Sequence, residues 1–292
     1  MASTAFWQLC WGKIFVKQVR IGICAPSTPL YEEEAQQLIA HTSKSHPAAE
    51  LVFHDQCFAI EGHFAGKDDL RCSAFVALAN DPSLDAIWFA RGGYGAARIA
   101  NSILTQLGPA AQNKIYMGYS DGGNLLGALY KAGIGTQAHG PMPVDMRRDG
   151  GMVAVERGLN WLVRQDPTAL EPHVEAGQKY AAFNLMTLAM MVGTPLLPDL
   201  EGHVLMIEEI AEYLYAFDRA LFNVTSHLAD KGVTGIRLGR VSEVPENNRP
   251  FGEEAEEIVA RLCTRFEIPY LGVADIGHDV GNKVVPFGAI PA

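Results

Sequence analysis

The stretch Lys114-Ile115-Tyr116-Met117-Gly118-Tyr119-Ser120-Asp121-Gly122-Gly123-Asn124 decides how this chain is read. A short apolar run, Lys114–Gly118, passes through a glycine-rich turn into a helical pattern, Gly122–Ala132. The serine therefore falls in G-x-S-x-G with strand, turn and helix in the required order. A sharp turn at that point lifts the serine oxygen out of the chain path, and small neighbours tolerate the strained backbone. The backbone N–H after the serine then lies beside a helix N-terminus, where it can stabilise an oxyanion. A plain strand-to-helix turn, with Ser120 as N-cap and Asp121 as a helix-start acid, satisfies the same spacing.

The alternation of strand and helix extends outward from this segment. Apolar runs at Val19–Ala25, Glu50–His54, Leu84–Ala90 and Thr136–His139 are bounded by Gly, Pro, Asp or Ser, as buried strands are. Helical patterns lie between them at Tyr31–Ser43, Asp68–Ala79 and Ala96–Gln106. Such alternation means βαβ units and a parallel sheet, in which the loops after the carboxyl ends of strands carry the chemistry. After residue 145 the alternation falters. A helix pattern at Val153–Arg164 leads into a Pro- and Gly-bearing connector, Gln165–Gln178. Helical patterning at Tyr180–Met191 precedes the turn Gly193-Thr194-Pro195 and a strand at His203–Glu208. Helices near Ala211–Lys231 and Glu253–Phe266 accompany strands near Ile236–Val241, Tyr270–Val273 and Val284–Pro286. Two α/β domains are expected: an extension at 1–18, a first domain at 19–145, a connector at 146–180 and a second domain at 181–292.

The 292 residues are 48% hydrophobic and 19% charged, enough apolar material for a sizeable core and too little charge for a disordered chain. Lys and Arg number 23 against 33 Asp and Glu; the net charge of −10 argues against non-specific binding to nucleic acid. No apolar run is long enough for a membrane-spanning helix. Lys13, Lys17 and Arg20 interrupt the N-terminal stretch, which lacks a basic lead and a clean cleavage site and so makes a poor signal peptide. Cys10, Cys24, Cys57, Cys72 and Cys263 include no C-x-x-C pair and are expected to be reduced thiols of a cytoplasmic protein.

A second glycine-rich segment, Ala90-Arg91-Gly92-Gly93-Tyr94-Gly95, ends one strand and opens a helix. Exposed backbone N–H groups at a helix start form an anion site. The spacing is neither G-x-G-x-x-G nor that of a P-loop, so a second oxyanion donor beside Ser120 fits better than a nucleotide site. A serine nucleophile needs a base and an orienting acid. His139 and His278 lie on loops after strands, and either qualifies as the base by composition. Glu208, Glu209 and Glu212 cluster at the end of the strand Val204–Glu208, where alternation lets only one of the adjacent pair face a given site. Zinc-site spacings such as H-E-x-x-H and C-x-x-C are absent, so no metal and no other cofactor is expected.

Taken in order, these segments resemble the LD-carboxypeptidase family, which includes muramoyltetrapeptide carboxypeptidases and microcin C self-immunity peptidases. The resemblance rests on Ile21-Gly22-Ile23-Cys24-Ala25-Pro26-Ser27, Ala65-Gly66 before Asp68-Asp69-Leu70-Arg71, Arg91-Gly92-Gly93-Tyr94-Gly95 and Gly118-Tyr119-Ser120-Asp121. It continues through His139-Gly140-Pro141-Met142, Gly193-Thr194-Pro195, Ile207-Glu208-Glu209-Ile210-Ala211-Glu212 with Asp218-Arg219, Gly277-His278 and Pro286-Phe287-Gly288. It spans roughly residues 19–289.

The resemblance implies an α/β fold with an N-terminal parallel-sheet domain of flavodoxin/Rossmann-like type. A second, smaller α/β domain would have a short mixed sheet or barrel-like core. It implies a Ser–His–Glu triad: Ser120 as nucleophile from the first domain, and His278 as base with Glu208 as orienting acid from the second. The backbone N–H groups of Gly93 and Asp121 would form the oxyanion hole in an interdomain groove. Arg91 is placed to bind a substrate carboxylate, a structural ion pair being its competing role. The implied reaction cleaves an L,D-peptide bond and releases the terminal D-alanine of muropeptide tetrapeptides in cytoplasmic cell-wall recycling. The implied partners are a small peptide substrate and a second copy in a homodimer, with neither nucleic acid nor membrane. A related peptidase acting on peptide–nucleotide conjugates is the alternative. Departures from the pattern are Ala182-Phe183-Asn184 in place of Gly-Gly-Asn and Leu214 in place of a common proline. With Ala292 soon after Pro286-Phe287-Gly288, the family's usual final strands are expected to be missing.

Overall fold

The computed structural model describes residues 18–291; the expected N-terminal extension lies almost wholly outside them. Two sheets, mostly parallel, build two α/β domains. The first sheet holds β1 (Val19–Cys24), β2 (Ala49–Phe53), β3 (Ala86–Phe89), β4 (Ile115–Gly118) and β5 (Thr136–His139) in the parallel order β5-β4-β3-β1-β2. This is the flavodoxin-like order, with its switch point between β1 and β3. Its helices are α1 (Glu32–Ser45), α2 (Asp68–Asn80), α3 (Ala96–Leu104), α4 (Gly123–Lys131) and α5 (Met152–Arg164). The central strands β3 and β4 are apolar nearly throughout, as strands covered on both faces must be. On one face Phe75, Ile99 and Leu125 bury Ile87 and Phe89. On the other, Val155, Leu159 and Leu162 of α5 bury Ile21, Trp88 and Met117. The helix that the sequence places in a connector is therefore a layer of the first domain.

The second sheet holds β6 (Lys179–Asn184), β7 (His203–Ile210), β8 (Gly235–Ser242) and β9 (Tyr270–Val273), all parallel, with α6 (Leu185–Met191), α7 (Leu214–Leu228) and α8 (Ala255–Arg265). The helical reading of Tyr180–Met191 needs correcting: its first half is strand β6, and the helix begins at Leu185. Asn184 marks the change, because its Oδ1 accepts a hydrogen bond from the Thr187 backbone N–H and caps α6. Phe183 is fully buried against Phe287, with ring centroids 5.1 Å apart, so this departure from the family pattern lies in the core.

The last strands cross between the domains. β10 (Val285–Pro286) pairs antiparallel with β5 of the first sheet. Two residues later β11 (Gly288–Ala289) pairs antiparallel with β6 of the second, which makes that sheet mixed. Phe287, between them, donates its backbone N–H to Gln137. The loops after β1, β3, β4 and β5 thus gather at one edge of the first sheet, facing the carboxyl end of β7.

Candidate active site

The turn after β4 carries Ser120 at φ +57°, a left-handed backbone that a side-chain-bearing residue adopts at a cost of about 1–3 kcal/mol. Its flanking glycines are required by packing. A Cβ on Gly118 or Gly122 would come within 2.6 or 2.9 Å of the Phe89 ring on the neighbouring strand. The chain therefore hugs β3 and throws the serine outward. Asp121, next in the chain, points inward and is buried. Its carboxylate accepts from Ser27 Oγ at 2.5 Å, from the Ala96 backbone N–H at 2.8 Å and from Asn124 Nδ2 at 3.1 Å. Burial pushes its pKa up from the usual carboxylate value, and these hydrogen bonds oppose that. The side chain ties the Ser120 turn to the start of α3 and to the loop after β1.

The Arg91–Gly95 loop lies directly against the serine. A Cβ on Gly92 would stand 3.0 Å from Ser120 Oγ. Gly93, at φ +111°, has no room for one, since it would meet Thr28 Cγ2 at 2.5 Å. The buried guanidinium of Arg71 pins the loop from behind by donating to the carbonyls of Pro26, Gly66 and Gly95. Gly93→Ala should displace this loop; with the Gly93 N–H as the oxyanion donor that the family resemblance implies, kcat should fall by about 100- to 1,000-fold, as steady-state kinetics would show. A change below tenfold would remove the loop from the chemistry.

Glu208 and Glu209 leave β7 on opposite faces. Glu209 is structural: it accepts from Asn184 Nδ2 at 2.6 Å and from the backbone N–H groups of Met186 and Ile210. Glu208, fully buried, places Oε2 2.6 Å from His278 Nδ1. Burial works to lower the imidazole pKa, but the Glu208 charge and hydrogen bond outweigh it and hold His278 above the usual histidine value. The His278 loop is itself clamped. Arg240 on β8 pairs with Asp275 and Asp279, and Arg157 on α5 donates to the carbonyls of Val280 and Asn282. His139, the other eligible histidine, is buried in β5 with Nε2 3.2 Å from Asn282 Oδ1, and burial lowers its pKa to about 4. It is a neutral core residue.

Ser120 and His278 line one cleft of about 340 Å³, together with Arg91, Gly92, Gly93, Tyr119 and Asp145. No hydrogen bond joins Ser120 Oγ to His278, and such contacts often close only around substrate. Arg91 donates to the Pro29 carbonyl at 3.1 Å and forms no ion pair among the described residues. Burial and the neighbouring Arg147 charge lower its pKa. Arg147 pairs with Glu34, and Arg148 with Asp145 at 3.2 Å. A second cleft, of about 500 Å³, also reaches Ser120 and Gly93 and is lined by Asn101, Asn184 and Glu212. Among the described residues no cluster of His, Cys, Asp or Glu is arranged to hold a metal ion, and no helix is long and apolar enough to cross a membrane. Tyr119, Asp145, Arg147 and Arg148 do not stand out in the sequence as site residues. For the last three the available signal is the charged stretch Asp145-Met146-Arg147-Arg148, a few residues beyond the fifth strand.

A serine on a strained turn, backbone donors beside it and an imidazole–carboxylate pair across a cleft form the set that acyl transfer by a serine enzyme requires. Residues 21–140 match the LD-carboxypeptidase N-terminal domain and residues 180–290 the LD-carboxypeptidase C-terminal domain, so the chain belongs to the LD-carboxypeptidase family. The murein tetrapeptide carboxypeptidase of Pseudomonas aeruginosa is 25% identical over 92% of this chain and 91% of its own length. The crystal structure of muramoyltetrapeptide carboxypeptidase from Oxalobacter formigenes superposes with a TM-score of 0.76 at 24% identity, covering 91% of this chain and 93% of that one. An MccF-like protein from Bacillus anthracis does so with a TM-score of 0.72 at 20% identity, over 93% of this chain and 92% of that one.

Proposed function

We propose that this chain is a serine-type, metal-independent LD-carboxypeptidase that releases the terminal D-alanine of muropeptide tetrapeptides. The observation that carries the proposal is the 2.6 Å pairing of His278 Nδ1 with buried Glu208, across the cleft from the strained Ser120 turn. Ser120 Oγ attacks the carbonyl of the L,D-bond as His278 Nε2 takes its proton. Glu208 fixes the tautomer and stabilises the imidazolium. The backbone N–H groups of Gly93 and Asp121 bind the oxyanion. His278 then gives the proton to the leaving amine. Water activated by His278 releases the acyl group and restores Ser120.

The direction of binding follows from the proton. His278 must reach the leaving amine, so the leaving residue lies in the cleft that His278 lines. Its free carboxylate there meets Arg91, a cation that forms no ion pair among the described residues. The acyl portion extends into the second cleft. The Ala182-Phe183-Asn184 departure gives no preference for peptide–nucleotide conjugates, because Phe183 packs in the core. The same proposal puts the reaction in the cytoplasm and pairs the chain as a homodimer, an assembly that light scattering reads directly.

The test is purified protein with muropeptide tetrapeptide, followed by chiral analysis of released alanine. D-Alanine is expected, at a rate unchanged by a chelator. No release, release abolished by the chelator, or faster cleavage of an aminoacyl-nucleotide conjugate would overturn the proposal.

A further inference from the structure

The wall of the cleft holds a buried carboxylate, Asp145, that the proposed mechanism does not use. Asp145 follows β5 in the Pro143–Arg147 turn and is 1% exposed. A carboxylate taken out of water needs donors around it, and Asp145 has three. Its Oδ1 accepts from the Tyr119 hydroxyl at 2.7 Å and from Arg148 Nε at 3.2 Å, and its Oδ2 from the Met142 backbone N–H at 2.8 Å. Tyr119 immediately precedes Ser120, and its ring centroid is 4.8 Å from that of His278. Arg148 lines the cleft beside both.

We propose that Asp145 is a positioning residue: it seats Tyr119 against the His278 ring and Arg148 at the cleft wall. Glu208 acts through a direct hydrogen bond. Asp145 acts through space and through the ring it tethers. The groups facing the imidazole are Glu208 from β7, Tyr119 from β4, neutral His139 near Tyr119 from β5, and Asp145 and Arg148 from the turn. Within its own loop Asp275 and Asp279 are both engaged by Arg240. The Asp145 charge favours the imidazolium and the Arg148 charge opposes it, each a smaller influence than burial and Glu208. The two substitutions that remove these charges therefore have opposite signs.

The test follows the His278 ring nitrogens by 15N NMR across pH, the signal being assigned by its loss in His278→Asn. Asp145→Asn should lower the titration midpoint by about half a unit, and Arg148→Met should raise it by a similar amount. The acidic limb of kcat/KM should move the same way, because the base acts in its neutral form. Tyr119→Phe, which keeps the ring and cuts the tether, should lower kcat about tenfold at unchanged KM. A turn cap with no link to the base would leave both midpoints in place, and that result, or shifts of the same sign, would overturn the proposal. Arg148 is partly exposed, so Arg148→Met keeps the question open to measurement if Asp145→Asn does not fold. The kinetic arm rests on His278 being the base. An acidic limb that survives His278→Asn would overturn that assignment, whereas the NMR midpoints answer for Asp145 without any substrate.

Discussion

Ser120→Ala should lower kcat on the tetrapeptide by about a million-fold, leaving only the slow hydrolysis that the remaining oxyanion donors and binding groups support. The hydroxyl has no hydrogen-bond partner among the described residues, so its loss removes no structural contact. Ser120→Gly sharpens the point. Glycine adopts a φ of +57° freely, so this variant should be as inactive as the alanine variant yet more stable by about 1 kcal/mol. Turnover assays and thermal unfolding read the two effects separately. An elbow under strain for the sake of its chemistry predicts gain in one and loss in the other. Activity within tenfold of wild type in either variant would end the assignment of Ser120 as nucleophile.

Glu208→Gln should lower kcat about 10,000-fold with KM little changed, the size of effect expected when the orienting acid of a serine triad becomes an amide. The amide can present N–H to His278 Nδ1, which leaves the imidazole in the wrong tautomer to receive the serine proton. It also carries no charge to stabilise the imidazolium. Stability should not follow activity down. Glu208 Oε1 is buried without a hydrogen-bond partner among the described residues, a costly setting for an ionised group. A neutral side chain of the same shape removes that cost, so the thermal midpoint should hold or rise. A fall in kcat of less than tenfold would assign Glu208 a structural role only.

The parts of the fold legible in the sequence are those written locally. Apolar runs bounded by turn residues gave β1 to β5 their places, and the helical pattern at Tyr31–Ser43 falls on α1. G-x-S-x-G was readable because Gly118 and Gly122 answer to one neighbour, Phe89, on the adjacent strand. Residues 180–191 were not, because Tyr180 to Met191 form one apolar, alanine-bearing run whose strand-to-helix change rests on the single cap at Asn184. At the site, strand alternation separated Glu208 from Glu209 but could not choose between them. His139 and His278 look alike in sequence; burial in β5 against proximity to Glu208 distinguishes them, and both are tertiary facts. Asp145 was hidden for the same reason. Its partners Tyr119 and Met142 lie on two different strand-end loops, and no local spacing announces them.

The crossing of Val285–Ala289 from β5 to β6 has a consequence for the chemistry. The hydroxyl belongs to one half of the molecule and the imidazole to the other, and this five-residue seam is sewn to both. Drifting apart of the halves would carry the Ser120 hydroxyl away from the His278 imidazole, so a short segment late in the sequence holds the proposed nucleophile and its proposed base within reach of each other.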